Sequence, residues 1–486
     1  MINLRKASLE DAFCLFNWKN EEESLKNSLN HEPVLWENHV IWMENTLKND
    51  NRFLWILEKE GKPCGMLRLD REEQEELIWG EISYLVDKKY RGQGLGKQLL
   101  IMAEKQAEIL NITVLCGVVF THNKASTAIF ESLGYRKKKK QDIYYFRKAV
   151  STIFFRTDMN TKIATGHVMR CLAIADAGRE IGLNSIFITS DEEGKQLIES
   201  RGYKNIVLKT PWNRLEEETE KLEEVIFRQG IKKLLIDSYQ VTEKYLEQIK
   251  KVTEIFYLDD LDRFPYPVQN LICYAPYFTN FSYGSKSKNE GFYLGLSYLP
   301  LKKEYSVKQR KEIKECAKDI LLLSGGSDPC HIIDRILTVL QQEEIRITVI
   351  CGSLFTDFYG LCEKYKEKKT KAVLHFYQNV NNLKDYMEKA DLAISAGGIT
   401  LYELAAMGVP TITYSFADNQ LYNVKQFQKD GLMEYAGDGR KDKIEEEIGK
   451  LVQYYRYHRK EREERSLKMQ KLVDGKGAGR IAELLK

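Results

Sequence analysis

Proline is scarce, at nine in 486 residues, and no two of the nine cysteines form a C-x-x-C pair. The scarcity of proline excludes collagen-like and proline-rich low-complexity classes. An odd number of scattered cysteines, in a chain too long to need covalent staples, excludes a disulfide framework and points to reduced thiols in a cytoplasm. No run of about 18 apolar residues occurs, so no membrane-spanning helix and no membrane partner are expected. The opening MINLRKASLE lacks the apolar core of a signal peptide. With 74 basic residues against 71 acidic, the net charge is only +3. No basic excess is available to hold a phosphate backbone, and no nucleic-acid partner is expected. Internal repeats are absent, as are His, Cys and carboxylate clusters at metal-ligand spacing, so no metal is expected.

What is present is a folded, enzyme-like composition: 43% hydrophobic, 11% aromatic and 30% charged. The length predicts about two to four domains. Strand-like runs at Phe53–Leu57, Glu81–Val86, Val114–Phe120 and Ile143–Phe146 alternate with amphipathic helices up to about residue 150. A second α/β texture begins at Thr152–Arg156. It continues through Ser185–Thr189, Lys233–Ile236, Ile255–Leu258, Ile320–Leu323, Ile345–Ile350, Leu392–Ser395 and Thr411–Tyr414. Strands alternating with helices predict doubly wound parallel sheets. The charged stretch Lys302–Lys318 reads as a helix-prone linker, and the tail from Lys441 as helical. The fold class is therefore α/β, with expected units at 1–148, 151–305 and 306–486. The charged run Arg214–Glu224 reads as a solvated helix face.

Three constellations carry chemistry. In the first, Arg91-Gly92-Gln93-Gly94-Leu95-Gly96 leaves a strand and opens a helix. Glycines let a ligand approach the backbone, and the unpaired amides of a helix start bind phosphate oxygens. Asn123 then opens a second helix, which runs to Gly134-Tyr135. This half resembles the GNAT acetyltransferases over residues 1–148. The resemblance implies acetyl-CoA as co-substrate, with Arg91, Gln93, Gly94, Leu95 and Gly96 at its pyrophosphate and Asn123 near the pantetheine arm. It also implies that the backbone of Leu85 and Val86 faces the thioester. Phe130 stands among the expected cofactor contacts, where the family often has a tyrosine that protonates the leaving thiolate; phenylalanine has no proton to give. Glu81 is the candidate base for the acceptor amine, with a plain exposed strand carboxylate as the alternative. The segments Asn17–Asn20 and His39–Trp42 resemble GNAT members that acetylate nucleotide-linked amino sugars. Trp18 and Trp42 are either stacking platforms or core, and His39 either a catalyst or a surface or capping residue. The basic run Arg136–Lys140 either touches the CoA phosphate or is a solvated strand end.

In the second, Asp158-Met159-Asn160-Thr161-Lys162-Ile163-Ala164-Thr165-Gly166-His167 leaves the strand at 152–156 and enters a helix whose buried face is marked by Val168, Leu172 and Ala175. Loops at the carboxyl ends of such strands are where open α/β sheets bind ligands. A histidine there, titrating near neutrality, suits a general base that activates water.

In the third, Ser324-Gly325-Gly326-Ser327-Asp328-Pro329 follows a strand, with Asp328 as a helix cap and Pro329 at the first helical position. Ala396-Gly397-Gly398 repeats the strand, glycine turn and helix arrangement. Glu403 stands early in that helix, where a carboxylate can accept both hydroxyls of a ribose. Asn419 and Gln420 follow a further strand.

Together, residues 151–486 resemble two-lobed GT-B glycosyltransferases, and more narrowly the UDP-sugar hydrolases of pseudaminic acid synthesis. The narrower match rests on Gly166–Cys171, Asp237-Ser238-Tyr239, Tyr257–Asp260 and the two glycine turns. It implies His167 as base for water attack at the anomeric carbon with inversion, and Tyr239 as an active-site tyrosine. UDP-sugar contacts are implied at Asp158, Gly166, Arg170, Ser324, Gly325, Gly326, Ser327, Ala396, Gly397, Gly398, Glu403, Asn419 and Gln420. The chain has Ala164 where that family carries glycine. Both halves then point to consecutive steps on one UDP-linked amino-deoxysugar. The rival readings are a peptidoglycan-type glycosyltransferase fused to an acetyltransferase, and a UDP-sugar-binding sensor without turnover.

Overall fold

The computed structural model describes residues 2–28, 30–74, 77–160, 162–163, 165–283, 291–306, 309–325, 328–352, 355–380 and 382–486; the side chains of Gln74 and Asn419 lie outside that description. Ala164, Gly326 and Ser327, singled out above, fall outside the described residues.

Among the described residues, twenty strands build three sheets. The first contains β1 (Ile2–Lys6), β2 (Arg52–Lys59), β3 (Lys62–Gln74), β4 (Leu77–Val86), β5 (Val114–Phe120), β6 (Arg136–Lys140) and β7 (Ile143–Ala149), in the order β1-β2-β3-β4-β5-β7-β6. Its pairings are antiparallel except β4 with β5. The second contains β8 (Thr152–Thr157), β9 (Asn184–Thr189), β10 (Lys204–Val207), β11 (Lys233–Asp237), β12 (Glu254–Leu258), β13 (Asn270–Cys273) and β14 (Gly291–Leu294), ordered β10-β9-β8-β11-β12-β13-β14 and wholly parallel. The third contains β15 (Asp319–Leu323), β16 (Arg346–Cys351), β17 (Val373–Gln378), β18 (Leu392–Ala396), β19 (Thr411–Ser415) and β20 (Glu434–Asp438), ordered β17-β16-β15-β18-β19-β20 and again parallel. Crossover helices bury both faces of parallel strands, which is why β8, β11 and β18 are buried almost from end to end.

Several expectations change here. Lys302–Lys318 forms no α-helix among its described residues. It is an extended strap with one short 3-10 turn, Lys303–Tyr305, and it buries Tyr305, Ile313 and Ala317. Helix Ile332–Leu340 starts later than Pro329; Asp328 caps it from upstream, accepting from the Ile332 and Ile333 amides at 2.8 and 2.9 Å. The tail forms three helices, and the last, Gly477–Leu485, returns to the second unit. There Ala482 meets Gly178, and Lys233 Nζ donates to the Leu484 carbonyl at 2.9 Å.

The basic run and the charged run, both read as solvated, meet each other. Lys138 pairs with Glu224 at 2.6 Å and lies over the Phe227 ring, while Arg136 donates to the Ile231 carbonyl at 2.9 Å. They join the first unit to the second. Leu77, at the start of β4, is buried in one cluster with Phe154 and Leu222, and Ser151 donates to Glu108 at 2.7 Å. The contacts fall at β6 and helix Thr219–Gln229, at the amino ends of β4, β8 and β11, and at the carboxyl end of helix Leu95–Ile109. The two units therefore sit base to base.

Candidate active sites

In the first unit, β4 and β5 pair only at Trp79–Val114, Gly80–Leu115 and Glu81–Cys116, yet β4 runs on to Val86 and β5 to Phe120. Beyond Glu81 the two strands diverge, leaving a wedge along Leu85 and Val86 on the β5 side of β4. Exposed Glu81 stands at the apex. Gly92 and Gly94 both take φ +76°, a left-handed conformation that favours glycine, and Gly94 caps helix Leu95–Ile109 at the wedge mouth. A Cβ on Gly96 would lie 2.9 Å from Ile129 Cδ1 and 3.3 Å from the Tyr84 ring, so glycine lets that helix start close to its neighbours. Leu95 is buried, and only its backbone amide can serve a ligand. Gln93 accepts from Lys59 Nζ at 2.6 Å. Asn123 caps helix Lys124–Ser132 by accepting from the Ser126 amide at 3.0 Å.

Two expected cofactor contacts are placed differently. The Arg91 guanidinium turns to Glu21 and Glu23, and its Nε donates to the Val86 carbonyl at 3.1 Å. It braces the end of β4. Phe130 is 1% exposed, stacks on Phe146 at 4.7 Å and abuts Gly117 so closely that a Cβ there would lie 2.5 Å from its Cζ. Its ring is core. A hydroxyl that residue patterns did not bring out stands nearby: Tyr84, edge-on to Phe130 at 6.3 Å, is hydrogen-bonded through its OH to Ser126 Oγ at 2.9 Å.

Trp18 is buried, with Nε1 donating to Asp87 at 3.0 Å, and His39 is buried with Nε2 3.0 Å from the Ala12 carbonyl. Both are core. Trp42 is half-buried between His39, stacked at 5.4 Å, and Arg68.

In the second unit, helix Gly166–Glu180 starts at the carboxyl edge of β8 and puts His167 in its first turn, 5% exposed. A Cβ on Gly166 would meet nothing within 4 Å, so the helix start beside His167 is uncrowded. The His167 ring is edge-on to Tyr239, with centroids 4.5 Å apart. Burial pushes its pKa below the ordinary value and Arg170 adds to this; Asp237, Asp260 and Asp158 oppose. The Tyr239 hydroxyl donates to Asp260 Oδ2 at 2.9 Å, as does Tyr274 at 2.9 Å. Arg170 is held by both oxygens of Asp237, at 3.0 and 2.7 Å, and also reaches the Tyr274 hydroxyl. Asp158 is buried with both oxygens engaged, one by Arg156 at 2.6 Å, the other by the Ser190 amide and hydroxyl at 2.7 and 2.8 Å. Arg156 and Glu218 complete that buried group. Asp158 and Arg170 thus brace the floor beneath His167. Sequence patterns missed Asp260 and Tyr274 as site residues; the Tyr257–Asp260 strand end was the available signal.

In the third unit, Ser324 is buried and Gly325 has φ +76°. A Cβ on Gly397 would lie 2.7 Å from Val424 Cγ1 and 2.9 Å from Gln420 Cβ, whereas one on Gly398 would meet nothing within 4 Å. Ala396 is buried at the end of β18. Gln420 accepts from the Phe416 amide at 2.9 Å, and Asn419 lies beside it in the first turn of helix Asp418–Lys429. Glu403 stands in the first turn of helix Thr400–Met407, facing the strap at Lys302, Glu304 and Tyr305. Burial raises its pKa from 4.5 to about 7, with Glu304 adding and with Lys302 and the Tyr305 hydroxyl opposing. The two lobes meet through Tyr274 against Tyr402 at 6.0 Å and Tyr277 against Tyr422 at 5.6 Å, so the His167 floor and the Glu403 helix share one cleft.

The raised pKa of Glu403 has a measurable cost. Its folded-state pKa exceeds the unfolded value, so ionisation opposes folding: not at all below pH 4.5, and in full above pH 7. Glu403→Gln should therefore stabilise the protein at pH 8 by up to about 3 kcal/mol, with the gain fading to nothing by pH 4.5, in denaturant unfolding at each pH.

Residues 15–135 match the acetyltransferase (GNAT) family model, and residues 320–476 match the glycosyltransferase family 28 C-terminal domain model. An uncharacterized protein of Methanocaldococcus jannaschii is 28% identical over 277 residues, covering 53% of this chain and 54% of its own length. A Helicobacter pylori protein described as a pseudaminic acid cytidylyltransferase and UDP-2,4-diacetamido-2,4,6-trideoxy-beta-L-altropyranose hydrolase is 26% identical over 204 residues, 41% of this chain and 37% of its own. The chain spans about half the length, or less, of these curated relatives. Among solved structures, a GNAT-family acetyltransferase from Streptococcus pneumoniae aligns over 31% of this chain and 99% of its own, at 22% identity and a TM-score of 0.28. Among the described residues, no helix is long and apolar enough to cross a membrane.

Proposed function

We propose that the GNAT domain and the glycosyltransferase family 28 C-terminal domain joined in this α/β chain catalyse consecutive steps on one nucleotide sugar in a cytoplasm. The first step transfers acetyl from acetyl-CoA to the 4-amino group of a UDP-4-amino-4,6-dideoxy-N-acetyl-hexosamine. The second hydrolyses the resulting UDP-2,4-diacetamido-2,4,6-trideoxyhexose to UDP and free sugar, as in pseudaminic acid synthesis. The observation that carries this reading is the cleft itself: a buried, neutral-leaning histidine on the floor of one lobe opposite a glycine-turn helix bearing Glu403 on the other.

In the first step the wedge between β4 and β5 receives the thioester, with the amides at Gly94–Gly96 holding the pyrophosphate. The amine attacks the thioester carbonyl as its proton passes to Glu81, directly or through water. The carbon–sulfur bond breaks and the thiolate takes a proton. Phe130 has none to give, and the Tyr84 hydroxyl, which burial keeps protonated, stands beside it. Tyr84→Phe should lower acetyl-transfer kcat by about 10²-fold with little change in the KM for acetyl-CoA, in steady-state kinetics. Unchanged kcat would leave solvent as the proton source.

In the second step His167 takes a proton from water as the water oxygen attacks the anomeric carbon from the face opposite UDP. The bond to the β-phosphate oxygen breaks and the configuration inverts. The amides of the two glycine turns stabilise the departing diphosphate. Mass spectrometry of the protein with acetyl-CoA and the UDP-amino sugar tests the whole sequence: UDP plus a free diacetylated sugar is expected. A UDP-sugar that is never acetylated would refute the first substrate. Sugar transfer to an added alcohol in preference to water would favour a peptidoglycan-type transferase.

A further inference from the structure

We infer that Asp260 is a positioning residue that holds the attacking water jointly with His167. The inference rests on the proposed hydrolysis.

Asp260 follows β12 at the carboxyl edge of the second sheet, with its side chain 13% exposed. Its neighbour Asp259 is fully committed, to the Tyr266 and Tyr283 hydroxyls at 2.8 and 2.6 Å and to the Leu261 and Asp262 amides. Asp260 differs. Tyr239 and Tyr274 both donate to Oδ2, and the Arg170 guanidinium lies 3.5 Å from the same oxygen. Oδ1 is buried and accepts no hydrogen bond from a described residue. A buried carboxylate oxygen left without a donor is costly, and its cost is relieved when a ligand supplies one.

The arrangement also fixes what Tyr239 does. Its hydroxyl hydrogen points at Asp260, so the residue orients the carboxylate and, through its ring, the edge-on imidazole of His167. Two acceptors then meet at Tyr239, His167 against its ring and Asp260 at its hydroxyl: an imidazole nitrogen and Asp260 Oδ1, which still lacks a donor among the described residues. A water has two hydrogens and fits such a pair. As its oxygen bonds to the anomeric carbon, one proton passes to His167 and the bond to UDP breaks with its electron pair. The second hydrogen stays on the new sugar hydroxyl, held by Oδ1, so atoms and charge balance without a further reactant.

The test uses the full chain and UDP-2,4-diacetamido-2,4,6-trideoxyhexose. Asp260→Asn should lower kcat for UDP release by about 10²-fold while KM moves by less than about 3-fold, since a misplaced water is lost only from the reacting geometry. The acid limb of the kcat profile should also move to lower pH. Asp237, Asp158 and Arg170, the other charged groups facing His167, remain, but the Asp260 charge that favours protonated imidazole is gone. If the amide variant does not fold, Asp260→Glu keeps the charge and displaces the oxygen: the same loss of kcat is expected with the acid limb unmoved. A variant with wild-type kcat, or one with raised KM and retained kcat, would overturn the inference. Wild type that releases no UDP would instead remove the proposed function itself.

Discussion

Replacing His167 by alanine is expected to lower UDP release by about 10²–10⁴-fold, the usual contribution of a positioned general base. Acetyl transfer in the same chain should be untouched, so the diacetylated UDP-sugar accumulates. The pH profile adds a second readout. His167 lies in the first turn of helix Gly166–Glu180, whose amide dipole disfavours a positive charge, and it is 5% exposed. Burial is the main cause of its lowered pKa. The base form is the active one, so wild-type kcat/KM should be flat through pH 7 and fall only below the ordinary histidine value. UDP release by His167→Ala at the wild-type rate would remove the histidine from the mechanism. Tight UDP and CoA binding with no turnover in the wild type would favour a sensor.

The second large effect concerns the intermediate. A separate hydrolase acting on the diacetylated UDP-sugar, added in excess, is expected to capture nearly all of it before this chain's second site does. Each site lies at the carboxyl ends of its parallel strands and at the amino ends of its helices, while the two units touch at the opposite ends. Ser151 meets Glu108, Leu77 meets Phe154, and Arg136 reaches Ile231 and Lys232. Helices Leu95–Ile109 and Gly166–Glu180 each have 15 residues, about 22 Å at 1.5 Å per residue, and both run from a site toward the junction. The wedge and the His167 cleft therefore open at opposite poles, and the sugar has to cross bulk water. Capture measured as competitor-made product against added competitor decides this: a fraction that stays uncaptured at saturating competitor would require a direct route.

The sequence alone disclosed the parts whose physics is local. Gly92, Gly94 and Gly325 marked turns, which the structure bends through left-handed backbone, and Asn123 marked the start of its helix; such features depend on a few neighbouring residues. The parallel-sheet class was legible because strands buried on both faces must be apolar throughout. His167 stood out by its place beside Gly166 on the loop leaving the carboxyl end of β8, where open α/β sheets bind ligands. Half-exposed β17 and β20 and the short β10, β13 and β14 carried no such signal. Tertiary structure alone decided what side chains far apart in the chain do to one another. Arg170 meets Tyr274 across 104 residues, Arg156 meets Glu218 across 62, and Lys138 meets Glu224 across 86. These meetings turned Arg170 and Asp158 into a floor and two charged runs into a junction. They also sent Phe130 to the core and left Asp260 with one oxygen that no described residue satisfies. Charge and hydrogen-bond pairing act over a few ångströms of space, and only the fold determines which residues share that space.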